Sequence, residues 1–248
     1  MHDTAESIGK RFLEIYATPG SVIVDFGSYN FNGTLKEFCP SGSDYIGLDF
    51  SQGPSVDVIV EVGKPAPLAS ESADIVLSSS QIEHDPMFWD TFLEFVRIVS
   101  PGGYIYINTP SNGPYRRFPN DYWRLYPDAG LGLEAYAAKK GFHLSLIESF
   151  IAERNSDNWN DFVAVFRKMP FEPDKKPYLH LEYNSTNVRK YGSEEIITES
   201  PLPQDMRIIN DLKVKIYGLE EKISRCESNN EAIRSEFELT DQRAPSAE

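Results

Sequence analysis

Cysteine is nearly absent: Cys39 and Cys226 are the two in 248 residues, in unlike regions and without metal-ligand spacing. That excludes a disulfide framework and a cysteine zinc site, and it suits a reducing compartment. The four histidines (His2, His84, His143 and His180) are scattered, so no metal site is expected. An excess of basic charge is missing too. The formal net charge of -14 argues against nucleic acid as a partner, because sequence-independent grip on DNA or RNA needs a basic footprint. It equally disfavours an anionic membrane surface. No apolar run approaches the ~20 residues that span a bilayer. The opening MHDTAESIGKRF has no apolar core of a secretory signal, so a cytoplasmic location is expected. The phosphate-cradling G-x-G-x-x-G is also absent.

What is present is alternation of helix and strand. Ile8, Phe12, Ile15 and Tyr16 recur at helical spacing and predict a helix over 5–17, ended by Pro19-Gly20. SVIVDFG at 21–27 is a continuous apolar run, the mark of a parallel strand covered on both faces. Further strands are predicted at 44–50, 56–62, 73–80, 104–110, 142–151 and 161–168. Helices are predicted from Asn32 to about Phe38, over 86–100 and over 131–141, with a loop and short helix at 65–72. Such alternation calls for right-handed crossovers in one sheet. The expected fold is α/β and doubly wound: a mostly parallel, seven-stranded, Rossmann-like sheet with helices on both faces, over residues 1–168. Residues 169–204 hold no period and read as an irregular wrap or linker. Ile209, Leu212, Ile216, Leu219, Ile223 and Cys226 then step by three and four. That seam predicts a C-terminal amphipathic coiled-coil helix over 205–240, followed by a loose tail at 241–248. An isolated helix with such a stripe is marginal in water. Homo-oligomerisation, a partner protein or the body of the chain must therefore cover it, with self-association favoured.

In open α/β sheets, ligands bind beyond the carboxyl ends of the strands. The first strand ends on Asp25-Phe26-Gly27 and the second on Asp49. An acid there can bond both hydroxyls of a ribose, and Gly27 lets backbone approach a ligand closely. Asp25 can hold a cationic amino group and would repel a pyrophosphate. The run Gly27-Ser28-Tyr29-Asn30-Phe31-Asn32-Gly33 has the wrong spacing for a dinucleotide. S-adenosylmethionine, with an ammonium, a sulfonium and a ribose but no phosphate, fits these features. The alternative is that Asp25 and Gly27 merely shape a strand-to-helix turn.

Taken in order, VIVDFGSYNFNGT, YIGLDFS, SADIVLSSSQIEH and FVRIVSPGGYIYINTP resemble the class I SAM-dependent methyltransferase family (methyltransferase type 11-like) over about residues 20–168. The G-S-x-x-x-N-G variant and the long SNGPYRRFPNDYWRLYPDAG loop are similar to methyltransferases of bacterial surface-polysaccharide loci. The resemblance implies that Asp25, Gly27 and Ser28 line the methionine moiety and that Asp49 takes the ribose hydroxyls, with Phe50 beside the adenine. It further implies that Glu61 and Val62 contact the adenine edge, and that Ser79, Ser80 and Gln81 lie next to the sulfonium. Glu83-His84 matches a common pairing of that family.

Methyl transfer to a hydroxyl needs alignment and a proton acceptor. His84 is the first candidate base, with helix capping as its other reading. Asp121 is the second, with pairing to Arg117 or Arg124 as the other reading. Tyr115, Arg116, Arg117, Tyr122, Trp123 and Arg124 form an aromatic and cationic acceptor loop suited to a saccharide or another polar acceptor. Trp123 and Tyr126 could instead plug the end of the sheet, and Arg116 and Arg117 could simply be solvated. The functional expectation is O-methylation of a saccharide or saccharide-linked acceptor in polysaccharide biosynthesis. The alternatives are methylation of a small polar metabolite or natural product, and a non-catalytic scaffold in a glycan assembly complex. A nicotinamide oxidoreductase is the rival on fold, disfavoured by the missing phosphate loop.

Overall fold

The computed structural model describes residues 2–172 and 175–241. The chain divides into a unit at 1–200 and a second at 201–248. The first begins with α1 (Asp3–Tyr16), then β1 (Val22–Phe26), β2 (Asp44–Asp49), β3 (Val58–Ile59) and β4 (Ala73–Ser79). It continues with α2 (Phe88–Ile98), β5 (Val99–Pro110), α3 (Asp128–Lys139), β6 (Leu144–Ala152), β7 (Asp161–Lys168) and β8 (Ser185–Lys190). The sheet order is β3-β2-β1-β4-β5-β7-β6-β8. The first five strands in that order pair in parallel, and the β5–β7, β7–β6 and β6–β8 pairings are antiparallel. Six strands therefore point one way, and β7 and β8 oppose them.

Alternation along the strands divides the core in two. Val24, Phe26, Val76, Ile105 and Ile107 face α2 and α3, where Phe92, Phe95, Val96 and Leu133 meet them. Ile23, Ile75, Leu77, Tyr104 and Tyr106 face Ile8, Phe12, Leu13 and Tyr16 of α1. Phe12 stacks on Tyr106 with ring centroids 4.7 Å apart. Each fully buried side chain of this size contributes about 1.5–3 kcal/mol, so both faces are anchored beside the carboxyl end of β1.

Three sequence expectations need correction. The sheet has eight strands, not seven. The extra one, β8, lies in the stretch expected to be irregular, where Val188 is its one buried residue and leaves no alternation to read. That stretch is also tied down at the short 3-10 turn Leu179–Leu181. The buried Glu148 carboxylate accepts from Leu179 N–H (2.8 Å), His180 N–H (3.1 Å) and His180 Nδ1 (2.8 Å). Second, the helix expected from Asn32 is a four-residue 3-10 turn, Leu35–Phe38, capped by Thr34, and residues 65–72 hold no helix. The double winding is correspondingly thin, with loops where helices would cross from β1 to β2 and from β3 to β4. Third, the predicted strand 56–62 narrows to the two residues of β3 at the sheet edge, where Ile59 is 53% exposed. The Asp57 carboxylate takes the Gly47 N–H (2.8 Å) just before it. The expected C-terminal helix is present as α4 (Gln204–Asp241), which takes in the first residue of the expected tail. The rest of the expected tail lies outside the described residues.

Candidate functional site

A cavity of about 400 Å³ opens at the carboxyl ends of β1, β2 and β4. Its floor is the turn after β1, where Gly27 N–H and Ser28 N–H both donate to Leu48 O, at 2.8 and 3.1 Å. Gly27 sits at φ +90°, and a Cβ there would lie 2.5 Å from the Gln81 Cβ. The position therefore excludes other residues on two counts.

Two carboxylates face this space. Asp25 is 5% exposed and accepts a hydrogen bond from the Tyr45 hydroxyl at 2.6 Å. Burial pushes its pKa up to about 7; the Tyr45 bond opposes the rise and the neighbouring Asp49 adds to it. Burial and the Asp25 carboxylate push the Tyr45 hydroxyl well above its ordinary value, so it remains a donor. Asp49 is half-buried and accepts from Tyr29 N–H (3.2 Å) and Ser51 N–H (3.0 Å), one at each oxygen. Around the same space Ser28 Oγ, Ser80 Oγ and Gln81 Nε2 are buried without a hydrogen-bond partner. Ser80 also holds a left-handed backbone, φ +54°, the kind of strain that concentrates at functional sites.

Aromatics and one cation line the cavity mouth. Tyr29 stacks on Phe31 at 4.3 Å, and Phe118 meets Phe31 edge-on at 4.5 Å. Arg116 lines the mouth and lies 5.7 Å over the Trp159 ring. His84, from the 3-10 turn Ile82–His84, also lines it and donates from Nδ1 to Asn120 O. Its Nε2 is 3.7 Å from Glu83 Oε1. Glu83 is buried, bonded through Oε2 to the Thr109 hydroxyl (2.8 Å). Burial raises its pKa despite His84 and that bond.

Of the residues singled out from sequence, Asp25, Gly27, Ser28, Asp49, Phe50, Ser79, Ser80, Gln81, His84 and Arg116 converge on this cavity. Glu61 and Val62 lie outside it: Glu61 pairs with Lys64 at 2.6 Å, and Val62 is exposed. Asp121 also lies outside, held by Arg124 (Nη2–Oδ2, 2.6 Å) and by Arg116 N–H (2.7 Å). Burial raises its pKa, but those bonds outweigh it and leave a net lowering, which suits a structural anion. Trp123 donates from Nε1 to Asp85 O (2.8 Å) and packs against Phe88 and Trp89. Tyr115, Arg117 and Tyr122 are exposed away from the cavity. Tyr45, Phe31, Phe118 and Pro119 escaped sequence reading. Tyr45 was recoverable: with Asp25 opposite Gly47 in register, the residue two before Gly47 shares the Asp25 face.

Residues 26–107 match a family model described as a methyltransferase domain. Residues 26–107 are thus similar to a methyltransferase domain over about a third of the chain. An uncharacterized methyltransferase of Mycobacterium bovis is 32% identical over 128 residues, covering 46% of this chain and 50% of the relative. The chain thus spans about half the length of the curated relatives it matches. Its fold resembles that of a Burkholderia thailandensis 1,6-didemethyltoxoflavin-N1-methyltransferase, with TM-score 0.51, 14% identity, and coverage of 67% of this chain and 79% of that one. It also resembles a SAM dependent methyltransferase from Archaeoglobus fulgidus, with TM-score 0.50, 16% identity, and coverage of 66% and 93%. The cavity fits S-adenosylmethionine: two carboxylates can meet its ammonium and its ribose, and the three orphaned polar atoms offer further hydrogen bonds. Among the described residues of the domain and the rest of the chain, no three His, Cys, Asp or Glu cluster for a metal. No helix among them is long and apolar enough to cross a membrane.

Proposed function

We propose that the protein transfers a methyl group from S-adenosylmethionine to a hydroxyl of a saccharide or saccharide-linked acceptor. The observation that carries the reading is the single cavity wall on which Asp25, Asp49 and the unpartnered Ser28, Ser80 and Gln81 atoms meet, with His84 and Arg116 at its mouth. Asp25 receives the ammonium of the cofactor, Asp49 the ribose hydroxyls, and Phe50 packs beside the adenine. When bound, the cofactor supplies a methyl carbon already activated by its sulfonium. The chain's own work is alignment and proton removal. Because Asn120 O accepts from Nδ1 of His84, the neutral ring carries its lone pair on Nε2. That nitrogen would take the proton of the acceptor hydroxyl as the C–O bond forms and the methyl's C–S bond breaks, with S-adenosylhomocysteine as the leaving thioether, and Glu83 Oε1, 3.7 Å away, would stabilise the imidazolium. Arg116 and the aromatic pair Phe31 and Phe118 offer a cation and flat apolar surfaces, a combination that suits a polar ring.

The test has two steps. A thermal-shift panel should show stabilisation by S-adenosylmethionine and S-adenosylhomocysteine and none by NAD or NADP. A library of glycans, sugar nucleotides and phenols, screened with methyl-labelled cofactor, should then show incorporation into the sugars. Labelling confined to phenols rejects the saccharide class while leaving methyl transfer intact, and no shift with either adenosyl compound rejects the whole reading.

A further inference from the structure

Helix α4 is about 57 Å long at 1.5 Å per residue, and every residue from Ile208 to Glu236 is exposed. With Ile209 at heptad position a, the a positions are Ile209, Ile216, Ile223 and Asn230, and the d positions are Leu212, Leu219, Cys226 and Ile233. Ile at a with Leu at d favours two parallel strands, and one Asn at a fixes register and stoichiometry. Gly218 falls at c, on the outer face, where it leaves the seam uninterrupted. We propose that α4 binds the α4 of a second copy of this chain as a parallel, in-register, two-stranded coiled coil.

Charge decides the orientation. In a parallel in-register pair each g residue faces the e residue five positions on in the other helix. Lys215 then meets Glu220 and Lys222 meets Glu227, each twice by symmetry. The remaining pairs within the described side chains are Ile208 with Lys213 and Asn229 with Arg234, neither of like charge. An antiparallel pair overlapping over 209–233 instead brings e to e and g to g. Lys215 would face Lys222, Glu220 would face Glu227, and Lys213 would face Arg234. Each of these is a repulsion. The nearby ion pair Glu221–Arg225 (3.9 Å) lies within one helix, at f and c, and does not compete for the seam. The parallel register also places the two Cys226 thiols in one d layer, face to face.

Sedimentation of the full chain should give twice its 28.1 kDa mass. Leu219→Glu should shift it to monomer while leaving the thermal transition of the 1–200 unit unchanged. In a Cys39→Ser background, a short bis-maleimide should join two chains through Cys226, and Cys226→Ser should abolish the link. Lys215→Glu with Lys222→Glu should weaken the dimer at least tenfold, and adding Glu220→Lys with Glu227→Lys should restore it. A monomeric wild type overturns the proposal. A dimer that cannot be joined at Cys226, a higher stoichiometry, or a charge swap that fails to restore association overturns the parallel register.

Discussion

Replacing Asp25 by Asn should make the protein more stable and a poorer binder at the same time. Asp25 is a buried carboxylate whose pKa stands at about 7 against an ordinary 3.8, chiefly through burial. At 1.36 kcal/mol per pKa unit, holding it ionised costs the folded state at most about 4 kcal/mol. The sign follows from proton binding. Between pH 3.8 and about 7 the folded state keeps a proton that the unfolded state has lost, so stability falls as pH rises through that window. Asn is neutral throughout, and its amide oxygen can still accept the Tyr45 hydroxyl. Below pH 4 the variant and the wild type should melt together. At pH 8 the variant should melt higher by up to about 10 °C, the shift that such an energy produces in a domain of this size. Affinity should move the other way. Loss of a charge-assisted bond to the proposed ammonium costs about 1.5–3 kcal/mol, or roughly 10- to 100-fold in Kd. Calorimetry near pH 6 in buffers of differing ionisation enthalpy should show proton release on S-adenosylmethionine binding to the wild type and none with the variant. Melting curves that stay parallel across pH, or equal affinity for both chains, would refute the assignment.

Asp49→Ala should weaken S-adenosylmethionine binding by about 1.5–3 kcal/mol, read by calorimetry on a variant whose circular dichroism is unchanged. His84→Ala should leave cofactor affinity nearly intact and cut turnover by roughly 10²–10⁴; equal losses in binding and stability would mark a structural histidine instead. Trp123→Ala should cost about 3 kcal/mol of stability, measured by urea unfolding, because Trp123 is bonded to Asp85 O and packed on Phe88 and Trp89. A stable Trp123 variant with a raised acceptor KM would return that residue to the acceptor site.

Most of the cavity lining carried on strand ends was legible, Glu61 and Val62 after β3 excepted, and of the lining carried on loops only part was. Asp25, Gly27, Asp49 and Ser79 to Gln81 follow buried apolar runs whose period and length declare where each strand stops, and strand ends fix side-chain position to within a residue. The acceptor loop offers no period. Its residue types announced polar chemistry, yet which of them turn inward depends on bonds that spacing does not reveal. Arg124 is spent on Asp121, and Trp123 on Asp85, while Arg116 and Phe118 between them reach the cavity. β8 was hidden for a related reason: an edge strand with one buried residue shows no alternation, and its membership comes from pairing with β6.

That division has a consequence for specificity. The proposed cofactor end is rigid because its groups hang on paired strands, with Gly27 and Gly47 admitting no side chain: a Cβ at Gly47 would lie 1.9 Å from Ser55 O. The proposed acceptor end is assembled from the 3-10 turn bearing His84, the segment around Arg116 and Phe118, and Trp159 from the β6–β7 connection. These pieces are joined by the His84 to Asn120 bond, the Glu83 O to Tyr122 N bond (2.8 Å) and the Arg116 contact over Trp159. Loop substitutions can reshape that end without disturbing the sheet. On the proposed reading, the choice of acceptor is therefore set by a few side chains around His84, and the alignment of the methyl group by the strands beneath them.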